Sequence, residues 1–307
     1  MDFDFNPEEM MKMDPKEIAK LLSKIETVPC PEYGGIRWPS FMTFRKKGVE
    51  KVLKDIIDFQ SRDTDVLICT YSKSGTHWIY EIVKMLLTKQ TDLAEESKGN
   101  TMLEVIPDLS QLDALPSPRI LDTHVVFQYL PKKHIENRGK IIHMMRNPKD
   151  VLVSFYYHAQ KDPFLDLKVP WKDFFEVWMS NKLPYGSWYD YELGMEQAEN
   201  DFPGMIYTCS YEEMKKNPVE EIKRLADFLE VEHSHQTIEA IAKATSFDNM
   251  QKNKFDLSAA MNDGKGFIFR KGEIGDWKNH FTVAQNEQFD ADYHEKMKNS
   301  RYTFKFE

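Results

Sequence analysis

Two spacings of apolar residues alternate along this chain. From Asp65 to Tyr71 the run DVLICTY is nearly continuous in apolar side chains, the pattern of a short strand buried on both faces. A polar turn follows. Trp78, Ile79, Ile82, Val83, Leu86 and Leu87 then recur at helical spacing. Arg119 to His124, Lys140 to Met145 and Met205 to Cys209 read as further strands. The second of these runs into Arg146-Asn-Pro-Lys-Asp150 and a helix from about 149 to 159, with Pro148 suited to its first turn. The third precedes a helix from Pro218 to Leu229, whose Val219, Ile222, Leu225, Ala226 and Leu229 share one face. Gly48 to Gln60 is a further amphipathic helix. Strands alternating with helices predict an α/β fold, a central, mainly parallel sheet flanked by helices on both sides. Residues 1–307 are expected to form a single domain, with 1–28 a less ordered N-terminal extension containing a polar helical stretch around Pro15 to Ile25.

Charge narrows the choice of partners. Fifty acidic against 41 basic side chains leave a net charge of −9, which argues against a general nucleic-acid binder. Any anionic ligand must be held by a few local cations working against that field. Cys30, Cys69 and Cys209 are far apart and form no CxxC pair, so neither a disulfide framework nor a zinc site is indicated, and no metal is expected. Cys69 and Cys209 sit in apolar runs, as small hydrophobes do. The N-terminal MDFDFNPEEMMKMD is acidic, unlike a targeting segment. The longest apolar run, Val66 to Cys69, has four residues and cannot span a bilayer. A cytoplasmic protein with no membrane contact is the expectation.

On a parallel sheet, ligands bind beyond the carboxyl ends of the strands. Tyr71-Ser-Lys-Ser-Gly-Thr-His-Trp78 occupies such a position between strand and helix. A small-residue turn opening a helix presents backbone N–H groups to a phosphate or sulfate, and Lys73 adds a fixed charge. An ordinary Ser/Gly turn with Thr76 near the cap fits the same residues. The segment lacks GxxxxGK[ST], so the usual nucleoside-triphosphatase loop is not indicated. Three other segments carry candidate chemistry: Arg146 to Ser154, Phe269 to Trp277, and Thr123-His124 at a strand end. Singly, each also has a structural reading, as a surface ion pair, a solvated cation pair or a core histidine.

Together these motifs resemble the cytosolic sulfotransferases, which use 3′-phosphoadenosine 5′-phosphosulfate (PAPS). The family's YPKSGTxW loop appears as Tyr71 to Trp78, its RNPKDVxVSxYxH block as Arg146 to His158, and its RKGxxGDWK block as Arg270 to Lys278. YEEM at Tyr211, TSF at Thr245 and TVAQNE at Thr282 follow in order. The resemblance implies a P-loop-like turn in which Lys73, Ser74, Gly75, Thr76, His77 and Trp78 wrap the 5′-phosphosulfate. Arg146, Ser154, Phe269, Arg270, Lys271 and Gly272 would hold the 3′-phosphate end, and Tyr211, Thr245 and Phe247 would frame the adenine with Trp78. His124 aligns with the family's catalytic base, and with Lys73 and Ser154 it makes up the implied catalytic set. A histidine suits proton removal from an acceptor, and a lysine suits the charge left on a departing phosphate oxygen.

Three positions depart from the family pattern. Ser72 replaces a proline, His77 replaces a threonine, and Asp122 stands where many relatives carry lysine. An aspartate facing His124 would tend to raise the histidine pKa, whereas one pointing away would do nothing. Phe41, Met102, Val105, Phe127 and Tyr157 are expected to line a site for a small apolar acceptor, with Tyr185 near them. The family's KxxxTVxxxE pattern is complete as Lys278, Thr282, Val283 and Glu287, which implies a homodimer of modest affinity. The acceptor class stays open among phenol, steroid alcohol, amine and natural product. A Mg-ATP phosphotransferase, and a nucleotide-binding relative that has lost turnover or changed specificity, are the competing functions.

Overall fold

The computed structural model describes residues 28–94, 98–253 and 268–307. The helical stretch expected around Pro15 to Ile25 lies outside the described residues, as does all but the last residue of the expected extension. The described chain opens with a short antiparallel hairpin, β1 (Glu32–Tyr33) and β2 (Ile36–Arg37), then α1 (Met42–Lys47) and α2 (Val49–Ile57). The central sheet is built from β3 (Val66–Cys69), β4 (Ile120–Thr123), β5 (Lys140–Met145) and β6 (Ile206–Ser210), in the order β4-β3-β5-β6. Every pairing in it is parallel, with Cys69 opposite Thr123 on one side and His143 on the other.

Parallel strands demand crossovers, and the helices supply them. They are α3 (Thr76–Thr88), α4 (Lys132–Glu136), α5 (Pro148–Ala159), α6 (Trp171–Met179), α7 (Trp188–Asp201), α8 (Tyr211–Lys216), α9 (Pro218–Leu229), α10 (His235–Ala244), α11 (Phe247–Asn253) and α12 (Val283–Met297). Alternate residues of each strand feed opposite cores. Val66, Ile68, Ile142 and Met144 pack with Ile79, Ile82 and Leu86 of α3 and with Ile222 and Leu225 of α9. Leu67, Cys69, Leu121 and Ile141 pack the other way, against Leu53 and Ile56 of α2, Phe155 of α5, Phe174 of α6 and Tyr191 of α7. Burying each such aliphatic side chain contributes about 1.5–3 kcal/mol, which is why β3 is apolar on both faces.

One end of the sheet is locked and the other carries the loops. At the amino ends of β3 and β4, Arg119 grips Asp65 with two hydrogen bonds of 2.9 and 2.6 Å, both side chains fully buried. At the carboxyl ends, the chain leaves β3 for β4 on one side of it and then crosses to β5 on the other. That divergence opens the crevice in which parallel sheets hold ligands.

Candidate active site

All four strand ends deliver side chains to one cavity of about 630 Å³. From β3 comes the turn Tyr71 to Gly75. Lys73 has φ 72° and Gly75 has φ 114°, so the turn reverses through left-handed backbone. A Cβ on Gly75 would lie 2.8 Å from Met144 Sδ and 3.0 Å from Tyr211, so only glycine fits this approach to β5 and β6. Its left-handed backbone starts α3, leaving the helix N-terminus open towards the cavity.

Arg146, at the end of β5, ties three of the loops. Its Nη1 donates to the Lys73 carbonyl at 3.1 Å and its Nη2 to the Glu273 carbonyl at 3.4 Å. Its guanidinium lies over the Tyr211 ring at 4.3 Å, and Tyr211 meets Trp78 edge to face at 5.3 Å. Beneath this junction a buried carboxylate frame fixes the loops. Asp150 accepts from the N–H groups of Gly275 and Trp277 at 2.7 and 3.0 Å, while Glu212 accepts from Asn147 N–H at 3.0 Å. Ser74 Oγ, Trp78 Nε1 and Arg146 Nε are buried with no hydrogen-bond partner among the described residues. Buried donors of this kind fit an anionic nucleotide.

The Phe269 to Gly272 loop closes the same end. Gly272 has φ 64°, and a Cβ there would lie 2.2 Å from Phe247, so the loop backbone rests directly on that ring. Arg270 and Lys271 both reach the carboxylate of Asp276 at 2.6 Å. Burial works against charge on Asp276, but hydrogen bonds from Lys271, Asn279 and Arg270 outweigh it and hold the carboxyl well below its usual range. Two cations thus share one carboxylate at this wall.

His124, just past β4, is 8% exposed and opens onto the cavity. Its Nδ1 lies 2.8 Å from the carbonyl oxygen of Thr70, at the end of β3. Under the same histidine, Glu104 accepts the His124 backbone N–H at 2.8 Å and the Tyr185 hydroxyl at 3.2 Å. Burial pushes the Glu104 carboxyl up to about 6, with the hydrogen bonds from His124 and Thr123 opposing the shift.

This convergence of an anion-ready turn, a cation loop and a histidine matches a known family. Its sulfotransferase domain covers residues 63–301, well over half of the chain. The chain belongs to the sulfotransferase family. Mouse sulfotransferase 1B1 is 37% identical over 266 residues, covering 81% of this chain and 88% of the relative. Human sulfotransferase 2A1 is 35% identical over 276 residues, covering 86% and 94%. The crystal structure of mouse sulfotransferase SULT7A1, complexed with PAP, has a TM-score of 0.74 at 30% identity and covers 89% of this chain and 96% of its own. Retinol dehydratase, in complex with androsterone and inactive cofactor PAP, has a TM-score of 0.77 with 99% of each chain covered; at 20% identity it is a likeness of fold.

In this sulfotransferase, Lys73, Gly75, Thr76, His77, Trp78, His124, Arg146, Ser154, Tyr211, Thr245, Phe247, Phe269, Arg270, Lys271 and Gly272 all line the one cavity. Ser74 belongs to the turn but is fully buried behind it. Phe41, Met102, Val105 and Tyr185 also line it, joined by Phe164, Leu165, His158 and Asp162. Two expected acceptor residues do not line it. Phe127 turns out to pack on Phe202 at 5.8 Å, and Tyr157 turns outward to bond His280 at 2.9 Å beneath Arg270. Neighbouring residues on α5 point different ways, so His158 replaces Tyr157 at the wall. Asp122 is also absent from the lining: it is fully buried, and its Oδ1 accepts from Thr101 Oγ1 at 3.3 Å.

Sequence reasoning missed Glu104, Asp150, Glu212 and Asp276 as the carboxylates that fix the loops. The motif blocks around Asp150, Glu212 and Asp276 held that signal, whereas Glu104 lies outside every motif. Lys278, Thr282, Val283 and Glu287 are all exposed, with Val283 76% accessible. Thr282 caps α12 through a reciprocal capping box with Gln285. Among the described residues there is no helix long and apolar enough to cross a membrane and no group of three metal-ligating side chains.

Proposed function

We propose that this cavity binds PAPS and that the enzyme transfers its sulfuryl group to a hydroxyl or amine of a small apolar acceptor. The observation that carries the reading is the meeting, in one cavity, of the Lys73 to Trp78 turn, Arg146 and the Arg270 loop, with His124 on its wall. PAP in the mouse relative at 30% identity supports the choice of nucleotide.

PAPS supplies the group transferred: an acceptor oxygen or nitrogen bonds to sulfur as sulfur's bond to the 5′-phosphate oxygen breaks. The residues of the chain do the remainder. The N–H groups opening α3, with Thr76 and His77, hold the 5′ end, Ser74 backs the turn from behind, and Lys73 offsets the charge that develops on the leaving oxygen. Arg146, Ser154, Arg270 and Lys271 hold the 3′-phosphate, for which an arginine offers two parallel donors. Trp78, Tyr211, Thr245 and Phe247 frame the adenine. His124 takes the proton that the acceptor loses. A carbonyl only accepts, so the 2.8 Å bond to Thr70 places the imidazole proton on Nδ1, and the neutral ring keeps its lone pair on Nε2.

The acceptor lies among Phe41, Met102, Val105, Phe164 and Tyr185, an apolar wall suited to a small molecule. A homodimer through Lys278, Thr282, Val283 and Glu287 and a cytoplasmic setting complete the proposal; the buried free thiols of Cys30, Cys69 and Cys209 support a reducing compartment. Calorimetry tests the nucleotide assignment. Tight binding of PAP without Mg²⁺ is expected, and a preference for Mg-ATP would overturn it.

A further inference from the structure

Beside the edge strand of the sheet lies a buried acid that the proton transfer described above leaves unused. Met102 makes one parallel bridge to Asp122 of β4, with Asp122 N–H donating to Thr101 at 3.1 Å and Leu103 N–H donating to Asp122 at 3.0 Å, before residues 103–105 turn away. This backbone pairing carries Glu104 beneath His124. The Glu104 side chain is wholly buried, and Thr43 Oγ1 anchors its carbonyl from α1 at 2.6 Å.

Three donors converge on one carboxylate. Oε1 accepts the His124 backbone N–H at 2.8 Å and the Tyr185 hydroxyl at 3.2 Å, while Oε2 accepts the Thr123 hydroxyl at 2.7 Å. Tyr185 in turn packs edge to face on the His124 imidazole, with ring centroids 5.3 Å apart. Tyr185 adopts φ 71°, a left-handed conformation that is costly for an aromatic residue. Its N–H donates to the Arg37 carbonyl at 2.7 Å, and the hydroxyl of Tyr71 holds the carbonyl of the next residue, Gly186, at 2.9 Å. Such backbone persists only where its surroundings over-determine it, and here they do so to set one ring against the imidazole. Glu104 is absent from the cavity lining, so any action on the acceptor passes through its neighbours.

We propose that Glu104 is a positioning residue for sulfuryl transfer, gripping the main chain of His124 and the hydroxyl of Tyr185 so that the imidazole is held at a fixed angle. The proposal rests on the reading of His124 as the base. Thr70 fixes the ring through Nδ1, Glu104 fixes the backbone that carries it, and Tyr185 fixes its face. A nonpolar side chain of similar size would leave all three donors buried and unsatisfied.

A double-mutant cycle in turnover tests this. Glu104→Gln keeps an acceptor oxygen at similar size, and Tyr185→Phe removes one hydroxyl from the network. Glu104→Gln is expected to lower kcat about tenfold and Tyr185→Phe about threefold, with acceptor KM and PAP affinity within about twofold of wild type. In a His124→Ala background, either change is expected to alter the residual turnover by less than about twofold, because the base they position is gone. A purely structural role predicts the same loss in both backgrounds, and that result overturns the proposal. Should Glu104→Gln not fold, the cycle is run with Tyr185→Phe. Wild-type kcat in the Glu104 and Tyr185 variants beside a slow His124→Ala overturns the positioning role alone. Full turnover in His124→Ala overturns the base reading and the positioning role with it.

Discussion

Nδ1 of His124 and the carbonyl oxygen of Thr70 are 2.8 Å apart, joining the end of β4 to the end of β3. That bond gives the imidazole one tautomer, since a carbonyl oxygen only accepts. His124→Ala is therefore expected to lower kcat by about 10²–10⁴, the usual range for removal of a general base. PAP affinity, measured by calorimetry on the same variant, is expected to stay close to wild type. A parallel loss of nucleotide binding would mean that His124 holds the loops rather than the proton.

Arg270 offers the cleanest test of the nucleotide's far end. A hydrogen bond to a charged group is worth about 1.5–3 kcal/mol, so Arg270→Ala is expected to weaken PAP binding roughly 10- to 100-fold. At saturating PAPS the kcat should change much less. Binding within about twofold of wild type would remove Arg270 from the phosphate site.

Stability should carry the signature of Glu104. Its folded carboxyl keeps a proton to about 6, against an ordinary value of 4.5, because burial disfavours the anion. The folded state then binds more protons than the unfolded state between those values, so stability falls as pH rises through that window. A shift from 4.5 to about 6 corresponds to about 2 kcal/mol. Urea unfolding at pH 4 and pH 7 should show wild type losing about that much relative to Glu104→Gln. Equal pH responses would show that Glu104 is not the group that titrates.

Val283 is the exposed apolar centre of the proposed dimer patch. Light scattering on the wild type at micromolar concentration should give twice the mass of the chain. Val283→Glu places a charge in a small interface and is expected to give the monomer with wild-type turnover. A monomeric wild type would contradict the dimer.

The strands and the crossover helices were legible because a parallel sheet demands apolar runs and its helices demand stripes. The run Lys140 to Met145 and the helix Pro218–Leu229 appear in the structure with those bounds. α6 and α7 were not read, since their Trp and Tyr residues carry a buried face and a polar tip at once and blur the periodicity. The direction of an aromatic side chain was equally hidden. Tyr157 and His158 are adjacent on α5, yet only His158 reaches the cavity. Glu104 left no trace in the sequence, because its position depends on a strand edge pairing with β4 rather than on a motif.

PAPS held in the one cavity would present its sulfur to an acceptor beside His124. Transfer of radiolabelled sulfur from PAPS to a panel of phenols, steroid alcohols and amines tests it most directly. Labelled product is expected with the wild type, and a rate on the order of 10²–10⁴ lower with His124→Ala. No label in any acceptor with the wild type, beside intact PAP binding, would contradict the account.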